Sequence, residues 1–162
     1  MSAAGLERSV FTTPDGADIA YGIRRGREPL VLLHGLGCDA SMWDGVVAGL
    51  PADRGLVIPE LRGHGNSTLG WRLPSVDLWA DDVVRLLRQK GIAAPAIAGL
   101  SLGGYTAFGI AAAHPGFARA FAFVSTSAAT DDEAGRAGAP RRSRRSAARG
   151  GGDSPRPSSR AS

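Results

Sequence analysis

Lysine is almost missing from this 162-residue chain, with Lys90 alone against eighteen arginines. Cysteine is as scarce: Cys38 is the only one, so no disulfide can form within the chain and nothing in its thiol content calls for an oxidising compartment. Residues 1–8 contain no apolar core of signal-peptide length, and no run anywhere approaches the ~18 apolar residues of a membrane span. The expectation is a cytoplasmic protein with no membrane partner, no metal and no cofactor. Histidine occurs three times, at His34, His64 and His114, which confines imidazole chemistry to three places.

Large hydrophobic residues are missing from one region altogether. Residues 134–162 hold no Val, Ile, Leu, Met, Phe, Tyr or Trp, while carrying 8 Arg and one Asp; residues 1–133 carry 11 Lys and Arg against 14 Asp and Glu. The formal charge of +4 therefore conceals a −3 segment followed by a +7 tail. A stretch of Arg, Ser, Ala, Gly and Pro cannot bury a core, so disorder is expected over 134–162 and the folded domain is expected within 1–133. Two readings of the tail stand. Clustered arginines such as Arg141-Arg142-Ser143-Arg144-Arg145 could neutralise phosphates as a polyanion-binding arm. Alternatively, GC-rich coding DNA read out of frame yields this same composition, and the abrupt change near residues 135–140 favours this frameshift reading, with nucleic acid not the expected partner.

What is present is a regular alternation. Residues 9–13 and 17–24 read as two strands joined by a Pro14-Asp15-Gly16 turn. Residues 29–33, a short continuous apolar run, read as a strand buried on both faces, as do 55–59. Between them a helix is expected over 41–50, with Met42, Val46, Gly49 and Leu50 on one side. Residues 74–90 place Trp79, Val83, Leu86 and Leu87 at helical spacing, with Gly91 as the stop. A strand at 95–98, a helix at 102–114 stopped by Pro115, and a strand at 119–124 complete the pattern. Strands alternating with helices in this way predict an α/β fold: a doubly wound, mostly parallel sheet with an antiparallel hairpin at its start, ending after about the sixth strand, which is then a sheet edge.

Chemistry concentrates at Gly99-Leu100-Ser101-Leu102-Gly103. The G-x-S-x-G pattern is common by chance in a glycine-rich chain, but here a strand precedes it and a helix follows, the setting that holds a serine on a sharp strand-to-helix turn. A serine hydroxyl needs donors for the oxyanion formed when it attacks a carbonyl. Such donors are main-chain N–H groups, one from the residue after the nucleophile and one from the loop after an earlier strand; Leu102 and Leu36 occupy those places.

Three motifs, in order and spacing, resemble the α/β-hydrolase superfamily over about residues 9–133. His34-Gly35-Leu36-Gly37 resembles its oxyanion loop, Arg62-Gly63-His64-Gly65-Asn66-Ser67 the loop after its fourth strand, and Gly99 to Gly104 its nucleophile elbow. Residues 36–44 with 99–104 are most similar to enol-lactone hydrolases and related small esterases. The resemblance implies Ser101 as nucleophile, an acyl-enzyme, and a small carboxylic ester or lactone as substrate. It also implies a catalytic acid and then a histidine on loops after later strands, and both are missing from this chain. His114 is expected roughly 20 Å from Ser101, at the far end of the helix that Ser101 opens. His34 and His64 are expected to shape loops, Asp131, Asp132 and Glu133 to form a solvated cluster, and Cys38 to pack as a small residue. Trp43 and Trp79 are expected in the core; Trp71, between Gly70 and Arg72, is the tryptophan with an expected substrate contact. The chain by itself is expected to turn over little or nothing.

Overall fold

The computed structural model describes residues 5–127. The expected domain boundary, the Asp131–Glu133 cluster and the arginine-rich tail lie outside the described residues.

The chain opens with β1 (Glu7–Thr12) and β2 (Asp18–Arg24), paired antiparallel from Glu7↔Ile23 to Thr12↔Asp18. Thr13 closes the turn between them, donating its N–H to Ala17 O at 2.8 Å and accepting at its own carbonyl from Gly16 N–H at 3.0 Å. β3 (Arg27–Leu33) and β4 (Arg54–Pro59) follow, then α2 (Val76–Gln89), β5 (Ala96–Leu100), α3 (Leu102–Ala113) and β6 (Ala120–Val124). The sheet runs in the order β1-β2-β4-β3-β5-β6. β2 meets β4 antiparallel, and β4, β3, β5 and β6 are parallel to one another. This is the expected doubly wound, mostly parallel sheet, with β6 at its edge.

Both faces of the central strands are covered, which is why they read as continuous apolar runs rather than as alternation. Val31, Leu33, Val57 and Ile97 point to one side, against Val83, Val84 and Leu87 of α2 and Ala107 and Ile110 of α3. Leu32, Leu56 and Ile58 point to the other, against Ala40, Trp43 and Val47. α2 is capped at both ends. Ser75 Oγ accepts from Leu78 N–H at 3.2 Å, and past the last turn Gly91, at φ +68°, lets Gly91 N–H and Ile92 N–H return to Arg88 O and Leu87 O at 3.0 and 2.9 Å.

The expected helix over 41–50 is shorter and divided. A 3-10 turn spans Ala40–Trp43, and α1 spans Asp44–Ala48. The cause is local: Asp39 Oδ1 takes both the Ser41 N–H at 2.8 Å and the Ser41 hydroxyl at 2.6 Å, which starts the segment as a tight turn. The tighter winding changes the buried face. Ala40, Trp43 and Val47 are inside, whereas Val46, expected on the packed side with Met42, is 47% exposed. Among the described residues no helix is long and apolar enough to cross a membrane.

Candidate active site

β4 and β5 lie on opposite sides of β3, so the chain reverses its winding between β3 and β5. Loops at the C-terminal ends of strands on either side of such a reversal diverge and leave a crevice. His34-Gly35-Leu36-Gly37 follows β3 there, and Ser101 follows β5.

Ser101 stands at φ +52° and ψ −110°, a backbone conformation that side chains other than glycine rarely adopt. The turn is held from two directions. Ser101 N–H donates to Val124 O of β6 at 2.9 Å, and Ser101 O accepts from Gly104 and Tyr105 N–H at 2.9 and 3.1 Å. Glycine is required next to it for close approach of main chains. A Cβ at Gly99 would meet the backbone of Gly103 and Gly104, and one at Gly103 would lie 2.5 Å from the Leu33 carbonyl carbon and 2.8 Å from His34 O. Gly104 leaves room for the Thr126 side chain. Gly35 brings the first loop to the elbow, since a Cβ there would be 3.0 Å from the Leu100 side chain and 3.8 Å from Ser101 Cβ.

His34 is fully buried and sets the conformation of its loop. Leu61 N–H donates to Nε2 at 2.8 Å, so that nitrogen carries no proton; Nδ1 then carries it and donates to Gly35 O at 2.8 Å. Both ring nitrogens are thereby committed. Burial pushes this imidazole below its ordinary value of 6.5, the nearby His64 adding to the effect and the Gly35 hydrogen bond opposing it. The folded state therefore keeps neutral His34 to a lower pH than the unfolded chain does. Its stability contribution is whole above about pH 6.5 and declines as pH falls from there toward the folded value. Urea unfolding is expected to show a lower midpoint at pH 5.5 than at 7.5, with a smaller difference in His34→Gln. An unchanged difference in the variant would assign the pH dependence to other groups.

The loop after β4 packs beside the loop after β3. His64 lies 5.2 Å from His34, ring to ring, and 6.2 Å from Trp79, with Nδ1 3.2 Å from Arg62 O. Trp79 donates its indole N–H to the same carbonyl at 3.1 Å. Arg62 itself is enclosed. Its five N–H donors are all taken: Nε and Nη2 by the two Asp82 oxygens at 2.8 and 2.9 Å, Nη1 and Nη2 by the two Asp15 oxygens at 2.5 and 2.8 Å, and Nη1 also by Leu69 O at 2.6 Å. The Arg62 and Thr13 hydrogen bonds hold the Asp15 carboxyl well below the usual carboxylate range, whereas burial pushes Asp82 up against the pull of the same guanidinium. Glu60, 2% exposed, secures the loop further: its Oε2 accepts from Asn66 N–H at 2.5 Å and from Asn66 Nδ2 at 3.0 Å. Sequence reasoning missed this network. The signal was there in Asp82, which sits four residues from both Leu78 and Leu86 on a buried helix stripe, where an acid must have a buried partner.

Leu36 and Leu102, expected as backbone donors, lie in the loop after β3 and in the first turn of α3, where an N–H has no partner within the helix. His114 ends α3, its Nε2 3.2 Å from Asp81 Oδ1, twelve helical residues away from Ser101. Cys38 is exposed rather than packed. Trp43 is buried and Trp79 packs against the core, while Trp71 is 79% exposed, its N–H on Asp15 O at 3.3 Å. Among the described residues no three His, Cys, Asp or Glu side chains are grouped to hold a metal.

Comparison with known proteins agrees with this architecture. Residues 28–158 match the alpha/beta hydrolase fold family model. A pimeloyl-[acyl-carrier protein] methyl ester esterase of Aromatoleum aromaticum is 33% identical over 101 residues, 62% of this chain and 38% of that protein. Among solved structures, a hydrolase from Pseudomonas aeruginosa is 28% identical with a TM-score of 0.72, over 79% of this chain and 49% of the other. A thermophilic esterase from Thermogutta terrifontis is 27% identical with a TM-score of 0.71, over 79% and 48%. The chain thus spans about two fifths of the curated relative and about half of the solved chains it matches. With most of its length covered by the family model, the chain belongs to the alpha/beta hydrolase fold family.

Proposed function

We propose that this chain carries the nucleophile and oxyanion-binding half of a serine hydrolase acting on a small carboxylic ester or enol-lactone. In this reading Ser101 Oγ attacks the carbonyl carbon, the ester C–O bond breaks, the departing oxygen takes up the proton that Oγ gives up, and the acyl group remains on Ser101 until water releases it as the acid. Main-chain N–H groups of Leu36 and Leu102 receive the charge on the carbonyl oxygen, with the N-terminus of α3 adding a favourable field. The observation that carries the proposal is the strained backbone at Ser101, at φ +52° on the strand-to-helix turn beside the His34–Gly37 loop. Glu28, Ala94 and Ser125 also stand at positive φ, so it is the place of this strain, on a strand-to-helix turn with main chain packed against it, that points to function. The esterase similarity supports the ester class; lactones rest on the likeness of residues 36–44 and 99–104 to enol-lactone hydrolases.

In this reading none of the three described histidines serves as the base. His34 has both nitrogens committed, His64 packs between His34 and Trp79 with Nδ1 on Arg62 O, and His114 is bound to Asp81 at the far end of α3. Turnover by this chain alone is therefore expected to be near background, while the oxyanion donors still favour Ser101 as the site of slow covalent attack. Prolonged treatment of the full chain with a fluorophosphonate, followed by peptide mapping, is expected to place the label on Ser101 ahead of the other serines and to lose it in Ser101→Ala. Equal labelling of many serines, or a label indifferent to that substitution, would remove Ser101 from the proposal.

A further inference from the structure

The two edges of the sheet are not alike. β1, at one edge, carries Glu7 and Arg8, charges of the kind that keep an open strand from pairing with another chain. β6, at the other, reads Ala120-Phe121-Ala122-Phe123-Val124, with no charge, no proline and no break in its register with β5. Four of its five residues are exposed, Phe123 by 41% and Val124 by 42%. Among the described residues no strand pairs with its outer side, and none of the usual protections of an edge strand is present there.

The apolar surface continues past the strand. The Phe108 ring of α3 stacks on Phe123 with centroids 4.0 Å apart, and Phe121 stacks on Phe123 at 5.9 Å. α3 has no charged residue along its length, and its Tyr105 is 40% exposed. α2 instead presents Asp77, Arg85 and Arg88 to water. A helix that is apolar all round is one that is covered, and a contiguous apolar patch beside an open strand marks a contact surface.

The occupant has to bring an apolar strand of its own. Residues 128–162 hold no Val, Ile, Leu, Met, Phe, Tyr or Trp and supply none. A second copy of the chain does. Ser101 N–H donates to Val124 O at 2.9 Å, so Val124 and Ala122 turn their main-chain groups toward β5 and, by the alternation of a strand, Phe121 and Phe123 turn theirs outward. Two copies of β6 run antiparallel about a two-fold axis at Ala122 exchange those outward groups, Phe121 of each with Phe123 of the other. The same register sets Ala120 against Val124, small against large, and Arg119 against Ser125, so no like charges meet. We infer that this chain forms a two-fold dimer by pairing β6 with β6 of a second copy, centred on Ala122 and independent of the role of Ser101. The pairing uses up the open edge of both copies, so the assembly closes at two.

At the axis Ala122 faces its own counterpart, in a non-hydrogen-bonded pair with Cβ atoms about 5 Å apart, and its side chain is exposed in the single chain. The full 162-residue chain is expected to sediment as a discrete dimer at about 100 μM and to dissociate on dilution toward about 1 μM. Ala122→Lys and Ala122→Glu each place like charges opposite one another and are expected to weaken the dimer about tenfold or more. An equimolar mixture of the two variants is expected to restore it. In the wild-type chain, amide exchange at Phe121 and Phe123 is expected to slow at the higher concentration. A wild-type chain that stays monomeric at about 100 μM would leave this edge to a different protein and overturn the pairing. Assembly undiminished in both variants, a mixture that stays monomeric, or exchange at Phe121 and Phe123 indifferent to concentration would overturn it as well.

Discussion

Arg62→Met is expected to lower the unfolding free energy by about 3–5 kcal/mol, the usual cost of removing one partner from a buried ion pair. A methionine fills much of the same space, so the loss is not chiefly one of packing. It comes from Asp15 and Asp82, which the substitution leaves nearly enclosed without the guanidinium that takes both oxygens of each. Asp15 keeps the Thr13 hydroxyl and the Arg72 N–H as donors, whereas Asp82 loses the guanidinium that held both of its oxygens. Three segments separate in consequence: the β1–β2 turn at Asp15, the loop after β4 at Arg62 and Leu69, and α2 at Asp82. In a chain of this size the change corresponds to a fall in melting temperature of roughly 10–20 °C, readable by circular dichroism. Replacing all three charged residues by apolar ones of similar volume is expected to cost much less than Arg62→Met alone, because no unpaired charge then remains. A loss below 1 kcal/mol in Arg62→Met would show that solvent reaches the two carboxylates.

Gly103→Ala is expected to destabilise by about 2–3 kcal/mol, although helix propensity alone argues for the opposite sign. Gly103 lies in the first turn of α3, and alanine in a helix is favoured over glycine by roughly 1 kcal/mol. The added methyl, however, meets main chain: the Leu33 carbonyl carbon at 2.5 Å and His34 O at 2.8 Å. A flexible side chain could move aside, but the end of a buried central strand cannot, and overpacking of this kind costs 1–3 kcal/mol or more. Gly45 in α1 provides the contrast. Nothing lies within 4 Å of a Cβ there, so Gly45→Ala is expected to be neutral or slightly stabilising. The opposite signs of two identical substitutions, read as urea midpoints, test the close approach at the elbow. Gly103→Ala is also expected to lose the Ser101 label, because moving α3 away from β3 displaces the Leu102 N–H from the Leu36 loop. A stable Gly103→Ala protein would mean that α3 and β3 stand further apart than the structure has them.

Much of this was legible in the residues. The apolar runs at 29–33, 55–59 and 95–98, the stripe of α2 and the punctuation by Gly91 and Pro115 follow from local rules, and the elements they predict are present within a few residues. The segment over 41–50 departed because the local rules competed there. Its apolar spacing fits a helix, but Asp39 draws two hydrogen bonds to Ser41, and the resulting tight turn rotates Trp43 and Val47 inward in place of Val46. Cys38 was expected to pack and is exposed, since it sits on a loop rather than on an element that faces the core. The Arg62 network went unread because its members are 47 and 20 residues apart and only the folded chain brings them together.

The order of elements, the two-sided burial of the central strands and the glycine-flanked serine between a strand and a helix are properties of this sequence alone. They arise from interactions between residues close in the chain and from the periodicity of side chains on strands and helices. Tertiary structure decided what depends on distance through space: that the loop after β3 meets the elbow after β5, that His34 is locked by the Leu61 N–H and has no nitrogen free, and that Arg62 finds two acids. Such pairings are set by the order of strands in the sheet, and a pattern of local propensities does not contain that order.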